Sequence, residues 1–179
     1  MAQIPHNTLD TRQLGKAFIW ATWLVLLVLL TWWFSGLLDQ QRNPNQSLQT
    51  RIDAEGVREV VLQRNRYGHY LSSGHINGAP VEFLLDTGAS DVSIPAAIAQ
   101  ALGLQAGAPR YYQTANGTIT AYSTRLSELR IGDILLRDVR ASINPAMEGD
   151  GILLGMSVLK RLEFTQRGDT LILRQYPDG

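Results

Sequence analysis

Phe83-Leu84-Leu85-Asp86-Thr87-Gly88-Ala89-Ser90 decides how this chain is read. Apolar residues run up to a single acid, and the acid enters a turn that needs glycine. Phe83 to Leu85 predict a buried strand that ends at this turn. Asp86 then has two readings. It can make an Asx turn, its carboxylate accepting from nearby amides. It can also be a carboxylate held out for chemistry. The tripeptide Asp86-Thr87-Gly88 does not separate the two, so its surroundings must.

Moving outward, short apolar runs alternate with turn signals from Val57 onward. Val60-Val61-Leu62 predicts a strand. Tyr70 to Ile76 and Val81 to Leu85 flank Asn77-Gly78, the pair preferred in a type I′ turn, and predict a hairpin. Pro95 opens a short helix over Ala96 to Leu102, with Gly103 past its end. Tyr111 to Ala115, Asn116-Gly117 and Thr118 to Ser123 predict a second hairpin. Strands follow over Leu126 to Ile131 and Ile134 to Ile143, joined at Gly132-Asp133. Gly151 to Leu154 predicts another strand, Met156 to Leu162 a second short helix, and Thr170 to Arg174 a last strand. Many short strands with two short helices make residues 57–179 a small, mostly β domain. No internal repeat is evident.

Three features recur in a fixed order: Asp86-Thr87-Gly88, the Asn116-Gly117 hairpin, then Gly151-Ile152-Leu153-Leu154-Gly155 before a helix. This order resembles the retropepsin-like aspartic proteases, and among them the bacterial membrane-anchored type. Gly68-His69-Tyr70, Asn77-Gly78, Leu102-Gly103-Leu104, Ala115-Asn116-Gly117 and Leu153-Leu154-Gly155-Met156 belong to the same resemblance. It covers residues 57–175 and implies a small acid-protease barrel. It also implies roles. Asp86 is the catalytic carboxylate, and Thr87 braces the active-site loop against its twin in a partner subunit. Gly88 and Ala89 complete the loop, with Gly88 presenting backbone to substrate. Ala115, Asn116 and Gly117 lie at or near the tip of a flap. Leu154 and Gly155 lie under the loop, where a side chain at Gly155 would collide.

Hydrolysis of a peptide by carboxylates needs a base to activate water and an acid to protonate the leaving amine. Two close carboxylates share one proton because both cannot ionise cheaply, and they titrate as a pair. The chain holds a single Asp-Thr-Gly. A second Asp86 therefore has to come from a second chain, at the axis of a two-fold homodimer. The expected partners are itself, an extended peptide or protein substrate paired by strand addition, and a membrane. A non-catalytic, membrane-tethered peptide-binding dimer of the same fold is the alternative. A purely structural dimer, with Asp86 a turn residue, is a third reading.

Some positions depart from the family pattern. Ala89 stands where pepsin-like enzymes have Ser, which removes a donor to the carboxylate and implies a less acidic optimum. Met156 replaces the Arg of many retroviral enzymes, so their dimer salt bridge does not carry over. Thr170 to Arg174 is the candidate for the terminal strands that knit retroviral dimers. Tyr111 and Tyr112 read equally as packing at the flap base and as substrate contacts.

Residues 17–38 hold the longest apolar run. Ala17 to Phe34 carry no charge, which reaches the lower end of the roughly 17–25 residues a spanning helix needs. Trp20, Trp23, Trp32 and Trp33 sit towards its two ends, as headgroup-level indoles do. Ser35-Gly36-Leu37-Leu38-Asp39 is a poor cleavage site, so the run reads as an uncleaved anchor. Arg12 and Lys16 favour a cytoplasmic N-terminal tail over residues 1–16. The domain then faces the periplasm or cell exterior from an inner membrane. Residues 39–56, polar and containing Pro44, read as a linker.

Composition closes off other classes. Lysine plus arginine number 16 and aspartate plus glutamate 16, with no cysteine in 179 residues. No basic stripe suggests a nucleic-acid partner. Without cysteine there is neither disulfide nor thiolate chemistry, which suits an oxidising compartment. His69 and His75 lack further ligands at metal spacing. Glu148 and Asp150 are too few oxygens for a calcium loop. No metal and no cofactor is expected.

Overall fold

The computed structural model describes residues 11–114 and 117–177. The chain divides into two compact units, Met1–Asp39 and Gln40–Gly179. Helix α1, Thr11–Arg42, makes up the described part of the first and runs three residues into the second. From Gly15 to Asp39 its residues are exposed all round, tryptophans and leucines included. A water-soluble surface helix would keep one polar face. The hydroxyls of Thr22 and Thr31 donate to the carbonyls of Phe18 and Leu27, each at 2.8 Å, so both are satisfied within the helix.

The second unit is built from strands. β1 is Thr50–Ile52, β2 Arg58–Gln63, β3 Leu71–Ile76, β4 Ala79–Leu85 and β5 Val92–Pro95. Helix α2, Ala96–Ala101, follows, then β6 Pro109–Thr114, β7 Gly117–Ile131, β8 Ile134–Asn144 and β9 Gly151–Leu154. Helix α3 is Met156–Leu159, and β10 Glu163–Arg167 and β11 Thr170–Gln175 complete the domain. One sheet has the order β3-β4-β9-β5-β8-β7-β6, and β3 pairs back onto β7. That extra pairing closes the sheet into a barrel. Its interior is filled by Phe83, Ile94, Leu126, Leu136, Ile152 and Leu154, all fully buried. A second sheet has the order β1-β2-β11-β10, and its Val60, Leu62 and Leu173 join the same core. This is the mostly β architecture with two short helices that the pattern predicts.

The first hairpin turns on Asn77 and Gly78, with φ of 50° and 85°. Positive φ at both central residues is what a type I′ turn requires. Pro95 caps α2 rather than opening it, because it also ends β5. Helix α3 is shorter than the predicted Met156 to Leu162.

Two expectations are corrected. The polar stretch over residues 39–56 is not a loose linker along its length. Asn43 and Asn45 are buried, and Asn45 bridges two strand ends. Its Nδ2 donates to the carbonyls of Gln63 (2.9 Å) and Leu71 (2.6 Å), and its Oδ1 accepts from the Gln63 amide (2.7 Å). Thr50–Ile52 then adds a strand to β2. Asparagines that bond backbone leave no apolar period to read. The second correction concerns Thr170 to Arg174, the candidate for a dimer strand. It lies inside its own sheet, paired with β2 on one edge and β10 on the other. The open edges of that sheet are β1 and β10.

Candidate active site

β4 carries Asp86 to the end of the barrel beside β9. The two strands run parallel, Leu85 opposite Leu154. The Asp86 amide donates to the Leu154 carbonyl at 3.2 Å, so β9 sets the height at which the loop leaves the sheet. The loop is then sewn to the start of α3. The amides of Met156 and Ser157 donate to the carbonyls of Ala89 (2.8 Å) and Ser90 (3.0 Å). Gly155 lies between them. A Cβ there would stand 2.6 Å from the Ala89 carbonyl oxygen and closer still to that of Asp91. Only glycine lets the loop settle this low.

Within the loop, the Gly88 amide donates to Oδ1 of Asp86 at 2.8 Å. The Ala89 amide donates to the Asp86 carbonyl at 3.3 Å. The geometry is that of an Asx turn, yet Asp86 is half-buried rather than turned into the core. Both readings of Asp86 are therefore compatible in one residue: the turn holds the carboxylate, and the carboxylate faces a cleft.

That cleft has a volume of about 380 Å³. Asp86, Gly88 and Ala89 line one side, and Tyr112, Ile119 and Ala121 of the β6–β7 hairpin line another. Leu153, Ser142 and Asn144 contribute to its walls. Thr87 is exposed and Leu154 fully buried. Ala115 and Asn116 lie outside the described residues. Gly117 begins β7 opposite Thr114, with a φ of 108° that side chains rarely adopt. It is thus a strand residue of the hairpin, not a central turn residue.

Asp91, five positions beyond Asp86, has a role that the sequence does not show. It is buried, and both carboxylate oxygens are engaged. Oδ1 accepts from Nε of Arg140 at 2.6 Å, and Oδ2 accepts from the Tyr112 hydroxyl at 2.9 Å. Burial, then the hydrogen bond and charge of Asp91, raise the Tyr112 phenol above its ordinary value, against a hydrogen bond from Ser142 and the charge of Arg110. The Asp91 carboxylate likewise raises Arg140. The partners stand 21 and 49 positions from Asp91, so no local motif announces them.

His69 and His75 sit on the β3 side of the domain and are not among the cleft's lining residues. Asp150 is exposed and pairs with Arg42 at 3.1 Å. Among the described residues no three His, Asp or Glu side chains converge as a metal site would require.

The sequence matches the family model described as gag-polyprotein putative aspartyl protease over residues 72–161. It is 37% identical over 126 residues to an uncharacterized protein in the cobV 5′ region of a Sinorhizobium species, covering 68% of this chain and 54% of that protein. It is 33% identical over 121 residues to an uncharacterized protein of Rickettsia prowazekii (strain Madrid E), covering 65% and 52%. The chain thus spans about half the length of these curated relatives. Among solved structures, the crystal structure of a retropepsin-like aspartic protease from Rickettsia conorii is similar, with a TM-score of 0.58 and 32% identity. The likeness covers 72% of this chain and 96% of that one.

Proposed function

Because the chain belongs to the gag-polyprotein putative aspartyl protease family, we propose that it is an aspartic endopeptidase whose active site forms between two copies. One observation carries the reading: the Asp86 carboxylate stands in a cleft walled by a two-stranded hairpin. An extended peptide laid in that cleft has strand edges to pair with, and an acid at its midpoint.

The chemistry follows from the carboxylates. With Asp86 from each chain facing across a two-fold axis, the pair shares one proton. The ionised partner takes a proton from water as it attacks the peptide carbonyl. The protonated partner gives its proton to the carbonyl oxygen. The proton taken from water then passes to the departing amine, the C–N bond breaks, and a hydroxyl of the diol returns its proton to the other carboxylate, which restores the pair. The Gly88 amide, bonded to Asp86 Oδ1, keeps the carboxylate turned to its position.

A second acid within the same chain would make the dimer unnecessary. Asp91 is the nearest in sequence, but both its oxygens are committed to Arg140 and Tyr112. Asp150 is salt-bridged to Arg42 and is not among the residues lining the cleft. Both observations support a second copy as the source of the second carboxylate.

Helix α1, apolar on every side, serves in this reading as a single-span anchor. Arg12 and Lys16 keep the N-terminus cytoplasmic and the peptidase domain on the outer face. Confinement to a plane raises the effective concentration of the two copies. The substrates are then extended segments of proteins at or near that face.

The test is direct. Detergent-solubilised full chain is incubated with a peptide mixture, with and without a pepstatin-type transition-state analogue. Cleavage that the analogue blocks, and that Asp86→Asn abolishes, is the expected result. Peptide binding without any cleavage would favour the non-catalytic peptide-binding dimer instead.

A further inference from the structure

Asp91 is a carboxylate with 6% of its surface exposed, at the rim of the cleft. A buried charge is costly unless it is paired and hydrogen-bonded. Here the pairing joins three separate parts of the site. Asp91 closes the loop that carries Asp86. Arg140 lies on β8, the strand that runs parallel to β5, with Val92 opposite Ala141. Tyr112 lies on β6, the outer strand of the covering hairpin.

The loop side of this junction is fixed independently. The Ser157 hydroxyl donates to the Arg140 carbonyl at 2.9 Å and accepts from the Val92 amide at 3.1 Å. Loop, β8 and α3 therefore form one frame. The hairpin is held differently. β6 is the last strand of its sheet, bonded to β7 alone. The Tyr112 hydroxyl is its side-chain bond to the loop, at 2.9 Å from Asp91 Oδ2.

We infer that Asp91 and Tyr112 are positioning residues, whose hydrogen bond pins the turn-side half of β6 to the loop bearing Asp86 and so sets the width of the cleft a peptide must enter. Arg140 orients Asp91 from behind. β6 is thereby held in register with the loop that carries Asp86. Neither residue exchanges a proton with substrate; they act through the placing of the hairpin. The kinetic side of this inference rests on the peptidase reading, whereas its structural side does not.

The experiment uses the full chain in detergent, with Tyr112→Phe, Asp91→Asn and Asp91→Ala. The first readout is hydrogen exchange of the amides in β6, which needs no activity. Tyr112→Phe is expected to speed exchange there by about tenfold, with β2 and β11 unchanged. The second readout is cleavage of oxidised insulin B chain. Tyr112→Phe is expected to raise KM by about fivefold while kcat stays within about twofold, because ground-state placement is what it loses. Asp91→Asn keeps an oxygen to accept from Tyr112, so it should exchange more slowly in β6 than Asp91→Ala. If both Asp91 variants unfold, Tyr112→Phe decides alone. Exchange in β6 that does not rise, or rises only together with β2 and β11, overturns the inference. If wild type cuts nothing, the peptidase reading fails and the exchange result still decides this one.

Discussion

Gly155 and Ala89 stand so close that a single added methyl would separate them. A Cβ on Gly155 would lie 2.6 Å from the Ala89 carbonyl oxygen, at the point where the Met156 amide bonds that oxygen at 2.8 Å. The φ of Gly155 is −91°, open to any residue. Space, not backbone conformation, demands the glycine. Gly155→Ala is therefore expected to cost about 1–3 kcal/mol, the usual range for overpacking, and to lift the loop off α3. Urea unfolding measures the first effect. Peptide cleavage measures the second, and it should fall more than the folded fraction does. An unaltered midpoint with unaltered activity would mean that the loop is not seated on this glycine.

The hairpin offers a separate test. Gly117→Val places a β-branched side chain at a φ of 108°, where only glycine is at ease. The strain falls at the start of β7, away from the barrel core. Cleavage should drop by about tenfold or more with the melting temperature nearly unchanged. Full activity in this variant would detach the hairpin tip from substrate binding.

Alkaline pH probes Tyr112. Burial and Asp91 raise its phenol above the ordinary 10.0, so the folded state favours the protonated form. The resulting stability is complete below pH 10.0 and is lost as pH rises through the higher folded value. Urea midpoints taken upward from pH 9 should therefore fall more steeply in wild type than in Tyr112→Phe. Parallel curves would show that Tyr112 titrates alike in both states.

Orientation of the anchor can be read with fusions after Gly179. An active alkaline phosphatase and an inactive cytoplasmic reporter are expected there, since Arg12 and Lys16 favour an inside N-terminus. The reverse pattern would place the domain in the cytoplasm.

How much of this was legible beforehand depends on whether the signal was local. Asn77-Gly78 names its own turn, and Gly151 to Leu154 is bounded by glycines on both sides, so β3, β4 and β9 could be read residue by residue. The Asp86 loop was legible for the same reason. Residues 39–56 were not, because they are held by hydrogen bonds, from Asn43 to the Glu82 carboxylate and from Asn45 to the carbonyls of Gln63 and Leu71, that leave no apolar pattern. The single long β7 reads in sequence as two strands broken at Thr124 and Arg125, polar residues that the strand carries on its partly exposed stretch. Tyr112 reads in sequence as packing or a substrate contact, and nothing in sequence ties it or Arg140 to Asp91, from which they stand 21 and 49 positions away. Only the closing of the barrel brings them together.

The central claim is that each site draws Asp86 from two chains. The most direct measurement is co-expression of wild type and Asp86→Asn in equal amounts in one cell, so that pairing is random. A mixed dimer has one Asp86 carboxylate and cannot supply both base and acid. About a quarter of the dimers are then wild type on both sides. Activity per total chain is expected to fall to about a quarter of the all-wild-type value. A fall to about half would show that each chain holds a complete site, and would contradict the account.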